Sequence, residues 1–228
     1  MDSSSQLIPF DTSKPALWFL LALITFNPTA WNIIARNEYR NHTLTRLFGG
    51  NPRLACYFLA SMIFSFGMLR DCLYRYALLQ QPYGLLLPQP WNTLVGFALI
   101  VSGQVLAMSA YYQLGVTGTS MGDYFGLLKD SRVEGFPFSV LRDPMYVGST
   151  ISFVGGAFWG ERPVGLFVST WIWIVYYVAL RFEGPFTDMI YLRRGEVKTQ
   201  GIVDLTGSER GTAIDNDGLA PEAKRKEI

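Results

Sequence analysis

Five apolar runs set the pattern of the first 192 residues, and the remainder of the chain is polar. The first run, Ala16 to Ala35, is interrupted by Asn27-Pro28. Proline removes a backbone donor and crowds the preceding turn, so this run reads as a kinked span or as an in-plane or re-entrant helix. The second, Leu54 to Leu69, has sixteen residues and stops at Arg70-Asp71. The third, Leu94 to Leu114, has twenty-one residues and no charge. The fourth, Tyr146 to Gly160, has fifteen, with Gly148, Gly155 and Gly156 among them. The fifth, Pro163 to Leu180, has eighteen uncharged residues and runs into Arg181-Phe182-Glu183-Gly184-Pro185, where Pro185 is expected to stop the helix.

A helix needs about 20 residues to cross roughly 30 Å of hydrocarbon. The third run meets that length and the fifth nearly does. The second meets it if Arg70 and Arg75 snorkel toward water. The fourth reaches only about 22 Å at ~1.5 Å per residue and is marginal alone. Its glycines permit close packing against the fifth run, a small-residue interface usual in membranes. "GERP" between them is a tight turn, so the two runs predict a helical hairpin. The expected fold is all-α: a polytopic integral membrane helical bundle with a C-terminal helical hairpin.

Composition supports a bilayer as solvent. Half the residues are hydrophobic and 16% are charged, against about 25% in soluble domains. A net charge of +1 offers no basic face for nucleic acid. Cys56 and Cys72 lie in or beside one apolar run and read as membrane-helix residues. With one histidine and no CxxC or HExxH, no metal is expected. The N-terminus lacks a basic start leading into an apolar core, so no cleaved signal is expected.

Charge also orients the chain. The connection Arg36 to Arg53 carries four arginines, and Gln80 to Trp91 carries no charge. Lys129, Arg132 and Arg142 lie in the connection Gly115 to Met145, and Arg181, Arg193, Arg194 and Lys198 follow the fifth run. If the first run spans, every basic connection falls on the cytosolic side. The expected domains are 1–192, embedded in the membrane, and 193–228, a polar, disordered cytosolic tail. Lys224 and Lys226 near the end resemble a di-lysine retrieval address of endoplasmic-reticulum membrane proteins; a solvated basic tail is the alternative.

The connection Gly115 to Gly148 is the candidate site. It holds six glycines, four aromatics before Tyr146, and the acids Asp123, Asp130, Glu134 and Asp143. Long irregular connections are functional or disordered, and the aromatic content argues for function, against an interfacial aromatic belt as the plain alternative. In "LRDPMYVGS", Asp143 can cap the next helix with Pro144 at its first position. A hairpin puts Asp143 and Glu183 at one end, with helix amides, arginine and aromatics around them. Such a mouth suits a zwitterionic small molecule, with an apolar partner entering from the lipid.

"NPTAWNIIARNEYR", "RLFGGNPRLACY", "GDYFG", "GFPF", "DPMYVGST" and "ALRFEGPFTDMIY" resemble, in order, motifs of the phosphatidylethanolamine N-methyltransferase family. The likeness runs from about Phe26 to Tyr191 and is closest to its small fungal members. It implies an integral membrane enzyme that moves methyl groups from S-adenosylmethionine to the amine of N-methylated phosphatidylethanolamines, forming phosphatidylcholine. It implies a phospholipid substrate drawn from the bilayer, and endoplasmic-reticulum or mitochondrial membranes. The family's GxG aligns with Val101-Ser102-Gly103, without its first glycine. The family's Glu-Glu pair aligns with Glu183-Gly184, without its second carboxylate. These residues are the implied cofactor contacts. In the related isoprenylcysteine carboxyl methyltransferases, an Arg-His-Pro-x-Tyr turn contacts the cofactor. Arg142-Asp143-Pro144-Met145-Tyr146 matches it with Asp in place of His, which adds Tyr146.

Methylation needs a free amine lone pair, so the lipid ammonium must lose a proton to a base. Asp123 and Asp143 are the candidate catalytic bases, ahead of His42, which reads as a surface residue. Tyr124, Phe125 and Tyr146 can attract a sulfonium or a methylammonium through their ring faces; ordinary interfacial packing is their other reading. Two further readings stay open: a non-catalytic lipid-binding homologue, which the two departures allow, and a nicotinamide-dependent enzyme like the sterol reductases, which share a C-terminal hairpin.

Overall fold

The computed structural model describes residues 10–129, 133 and 135–216. Among them every regular element is a helix: α1 (Pro15–Asn41), α2 (Thr43–Leu47), α3 (Pro52–Leu79), α4 (Trp91–Thr119), a 3₁₀ turn (Gly122–Phe125), α5 (Pro144–Trp159) and α6 (Val164–Asn216). Four of them, α1, α3, α4 and α6, contain stretches long and apolar enough to cross a membrane. The chain forms two compact units, Met1–Pro185 and Phe186–Ile228. The second holds the remaining length of α6, to Asn216.

The first run is one helix that carries Pro28 within it. Leu17, Leu20, Leu21, Ile24, Pro28, Trp31, Ala35 and Glu38 are buried, a three-and-four spacing that faces one side inward. Leu17, Leu20, Leu21 and Ile24 meet Tyr74, Ala77 and Leu78 of α3, Phe153 of α5, and Val164, Val168, Ile172 and Tyr176 of α6 in one core. Glu38 is fully buried. It is satisfied by the Leu44 amide at 2.6 Å, by the Thr45 amide and by the Thr45 hydroxyl, all at the start of α2.

α4 is apolar all round. It buries Asn92, Gly96, Gly103 and Ala110, and the last three recur every seven residues, so one narrow stripe faces a partner. That partner is α5. A Cβ on Gly103 would lie 2.4 Å from the Gly148 carbonyl, and one on Gly155 would lie 2.8 Å from the Gly96 carbonyl. The glycines of α5 were expected to face the fifth run. Instead Gly148 and Gly155 face α4, and Gly156 packs on the Tyr74 ring of α3. Backbone-to-backbone approach decides this, because α4 matches glycine with glycine. The helical backbone of α4 breaks at Gly115, at φ 66°, a value that glycine adopts without steric cost.

The hairpin forms as expected, with α5 and α6 joined across Gly160 to Pro163. At this end the Gly84 amide donates to the Glu161 carbonyl at 3.0 Å. Gln89 donates to the Glu161 carboxylate at 2.7 Å, and Arg162 lies over the Tyr83 ring. Gln81 and Asp11 exchange hydrogen bonds between side chain and backbone. The N-terminal segment and the uncharged connection thus share one end of the unit, as the charge pattern requires.

Two further expectations change, those for Pro185 and Arg70. Pro185 was expected to stop the last helix, but it sits inside α6; a helix passes through proline when other groups take up the freed carbonyls. Helix α6 runs on to Asn216, and Lys224 and Lys226 of the expected tail lie outside the described residues. Arg70 does not snorkel. α3 continues nine residues past it to Leu79, so its side chain lies along the helix body and turns inward, 17% exposed.

The α4–α5 contact makes a clear prediction. Gly103→Ala forces backbone apart and should cost about 1–3 kcal/mol. Gly67→Ala, with nothing within 4 Å of the added atom, should be neutral or stabilise by up to ~1 kcal/mol. Thermal unfolding in detergent measures both; equal midpoints for the two variants would remove the glycine seam from this account.

Candidate functional site

The opposite end of the unit gathers the sequence motifs. Met121 (φ 57°) and Gly126 (φ 77°) bracket the 3₁₀ turn with left-handed backbone. Gly122 within it has no room for a side chain, since a Cβ would lie 2.7 Å from the Thr117 carbonyl. Tyr124 and Phe125 are buried at 1% and 5% exposure, so they anchor the turn. Asp123, between Gly122 and Tyr124, is half-buried.

α5 begins at Pro144 with Asp143 as its N-cap residue. The Asp143 side chain accepts no capping hydrogen bond, contrary to expectation; the Asp143 carbonyl instead accepts from the Val147 amide at 3.2 Å. One turn into α5, the Tyr146 hydroxyl donates to a Glu183 carboxylate oxygen at 2.8 Å. Asp123 and Asp143 both lie within electrostatic reach of Glu183. Three carboxylates from three separate segments therefore converge on one place, a field that favours a cation.

Two arginines from other segments lie against α6 beside that cluster. The Arg142 guanidinium lies 3.6 Å from where a Gly184 Cβ would sit. Arg36, from the last turns of α1, donates to the Phe182 carbonyl at 2.6 Å. Pro185 gives the helix no amide there, and the arginine supplies a donor to a neighbouring carbonyl. Below the cluster, the Tyr176 ring meets the Tyr146 ring edge-on at 4.8 Å.

Asp123, Asp143, Tyr146, Glu183 and Gly184 thus come together. The Val101-Ser102-Gly103 element divides. Val101 and Ser102 are on the exposed flank of α4, where the Ser102 hydroxyl donates to the Leu99 carbonyl. Gly103 is on the α5 side, against Gly148 and Ser152. Its visible contribution is to let α5, and with it Tyr146, sit close. Asp130, Arg132 and Glu134 lie outside the described residues. His42 ends α1 in left-handed backbone at φ 50° and is exposed.

Sequence reasoning passed over Asn27, Asn32, Arg36, Arg70 and Tyr176. Asn27 and Asn32 are buried, and each has an amide oxygen without a hydrogen-bond partner. The available signal was polarity inside an apolar run, which in membrane helices marks function or pairing. Tyr176 carried no such signal among its aromatic neighbours.

Tyr146→Phe should leave the Glu183 carboxylate short of a donor and lower stability by about 1–3 kcal/mol. The unfolding midpoint of the full chain in detergent reads this, and an unchanged midpoint would show that the bond contributes nothing.

A phospholipid methyltransferase family model matches residues 91–194. A phosphatidyl-N-methylethanolamine N-methyltransferase of Neurospora crassa is 50% identical over 184 residues, covering 81% of this chain and 86% of that protein. A protein of the same name from Saccharomyces cerevisiae is 51% identical, over 79% of this chain and 88% of its own. A human phosphatidylethanolamine N-methyltransferase is 41% identical over 81% and 92%. No solved structure matches.

Proposed function

The chain belongs to the phospholipid methyltransferase family, and from that premise we propose that it methylates the amine of N-methylated phosphatidylethanolamines with S-adenosylmethionine, forming phosphatidylcholine. The observation that carries the reading is identity at half of the aligned positions, over about four-fifths of the chain, to proteins named for that reaction. The approach of Asp123, Asp143 and Glu183 beside Tyr146 supports it, because the donor's sulfonium and the acceptor lipid's ammonium both carry positive charge.

The residues fit such a donor. Glu183, aimed by the Tyr146 hydroxyl, is the carboxylate held in place on the hairpin, and we assign the donor to that side. S-adenosylmethionine, when bound, supplies an electrophilic methyl group on a sulfonium. The lipid reaches the site as an ammonium whose lone pair is blocked by a proton. Asp123 or Asp143 accepts that proton, either directly or through water. The Tyr146 ring offers a face to a sulfonium or to the growing methylammonium. Tyr124 and Phe125, nearly fully buried, serve by fixing Asp123. Positioning of donor and amine supplies the larger part of the acceleration. Gly103 acts on the site through the seat of α5, whereas Val101 and Ser102 lie on the exposed flank of α4.

The basic connections support a cytosolic position for this end. The family resemblance and Lys224 and Lys226 support the endoplasmic reticulum, with mitochondrial membranes as a second address.

Purified full-length protein in lipid vesicles with labelled S-adenosylmethionine should label phosphatidylcholine, and no label on any ethanolamine lipid would reject the reading. Glu183→Gln should raise the apparent KM for S-adenosylmethionine about tenfold with lipid preference unchanged; equal KM values would remove Glu183 from the donor side. Gly184→Glu should stay active, because the added side chain meets ordinary contact distance and the Arg142 guanidinium. Its inactivation would show that the site requires the glycine.

A further inference from the structure

Arg70 lies along the helical body of α3 with its side chain 17% exposed, and its hydrogen bond to α6 leads toward the site. Its guanidinium donates to the Tyr176 hydroxyl. It also donates to Asp71 on its own helix, with N–O distances of 2.9 and 2.8 Å, and it covers the Phe153 ring at 4.9 Å. Tyr176 is itself 8% exposed. Its ring stands edge-on to Tyr146 with centroids 4.8 Å apart and planes at 69°. Tyr146 then donates to Glu183 at 2.8 Å. The series runs from α3 to α6, across to α5, and back to α6 two turns further on.

We infer that Arg70 is a positioning residue for the Tyr146–Glu183 pair and acts through Tyr176. The inference rests on the assignment of Glu183 to the donor side. A phenol held only by its ring is free to rock about its side-chain torsions. One held at the hydroxyl as well presents a fixed edge to its neighbour. Tyr146 needs that fixed edge, because a hydroxyl aimed at a carboxylate loses the bond over a few tenths of an ångström. A charged side chain within a membrane bundle is retained where it is paired and useful. As a stability element alone it would be replaceable, since a buried polar pair exchanged for apolar groups of similar volume is often neutral or stabilising.

That contrast defines the experiment. S-adenosylmethionine binding to full-length protein in detergent, without acceptor lipid, is measured by titration calorimetry. The proteins are wild type, Arg70→Met, Tyr176→Phe, the double variant Arg70→Met/Tyr176→Phe, Arg70→Lys, Arg75→Gln and Glu183→Gln. Each of the first two single variants should weaken binding about fivefold, and the double variant no further, because both cut the same link. Arg70→Lys keeps a donor for the Tyr176 hydroxyl and should recover part of the loss. Arg75→Gln, on the exposed side of α3, should bind as wild type. Tyr176→Phe keeps ring and volume, so the test stands even if Arg70→Met fails to fold. Unchanged binding in Tyr176→Phe, or losses that multiply to about 25-fold in the double variant, would overturn the inference. If Glu183→Gln also binds as wild type, the donor-side assignment has failed; if Glu183→Gln alone weakens binding, only the role of Arg70 has.

Discussion

The hydrogen bond from Tyr146 to Glu183 ties the two helices of the hairpin together at the end where the chemistry gathers, and the surrounding packing sets its geometry. Tyr146 stands one turn into α5, so the depth of α5 determines whether its hydroxyl reaches. Glycine facing glycine on α4 and α5 sets that depth, because two backbones without side chains between them have one closest approach. At the far end, the turn between the helices is pinned by the Gly84 amide and by Gln89. On the α6 side, Arg36 holds the carbonyl of the residue before Glu183. A carboxylate presented this way is fixed from several directions before any ligand arrives, which is the condition for binding a cation without a reorganisation cost.

A bilayer makes such an arrangement both costly and specific. Polar groups among apolar helices have no water to fall back on, so they pair with one another or with a ligand. Glu38 is fully buried and satisfied by α2; it builds structure. At the candidate site, Asp123 and Asp143 instead lie within electrostatic reach of their shared neighbour Glu183, and like charges held near one another lower their energy when a cation enters. Arg70 belongs to neither group alone. It is satisfied locally by Asp71, yet its bond to Tyr176 lies on the path to Tyr146.

Much of this was legible from local pattern. The apolar runs became helices, the third run ended where Gly115 breaks α4, and the two hairpin runs put Asp143 and Glu183 at one end. Other features were not. Asp143 has the identity of a cap and stands at the capping position, but its side chain does not cap, because cap geometry depends on a torsion that neighbouring segments set. Pro185 has the identity of a helix stop, yet α6 continues. The arginine at position 70 read as the end of a span because charge in an apolar run looks terminal unless a partner is visible, and its partner lies 106 residues away.

The sequence by itself determined which segments are helical, which end of each is basic, and which residue types reach the candidate site; these are properties of neighbouring residues, set by hydrophobic length, helix periodicity and charge. Only the tertiary structure decided which faces meet. Gly148 turned to α4 rather than α6, Arg70 turned inward rather than to water, and Gly103 became a packing surface while Val101 and Ser102 stayed outside. The reason is physical: several pairings of apolar helices bury similar area, and the choice among them falls to close backbone approach and to the satisfaction of a few polar side chains, both of which depend on residues far apart in the chain.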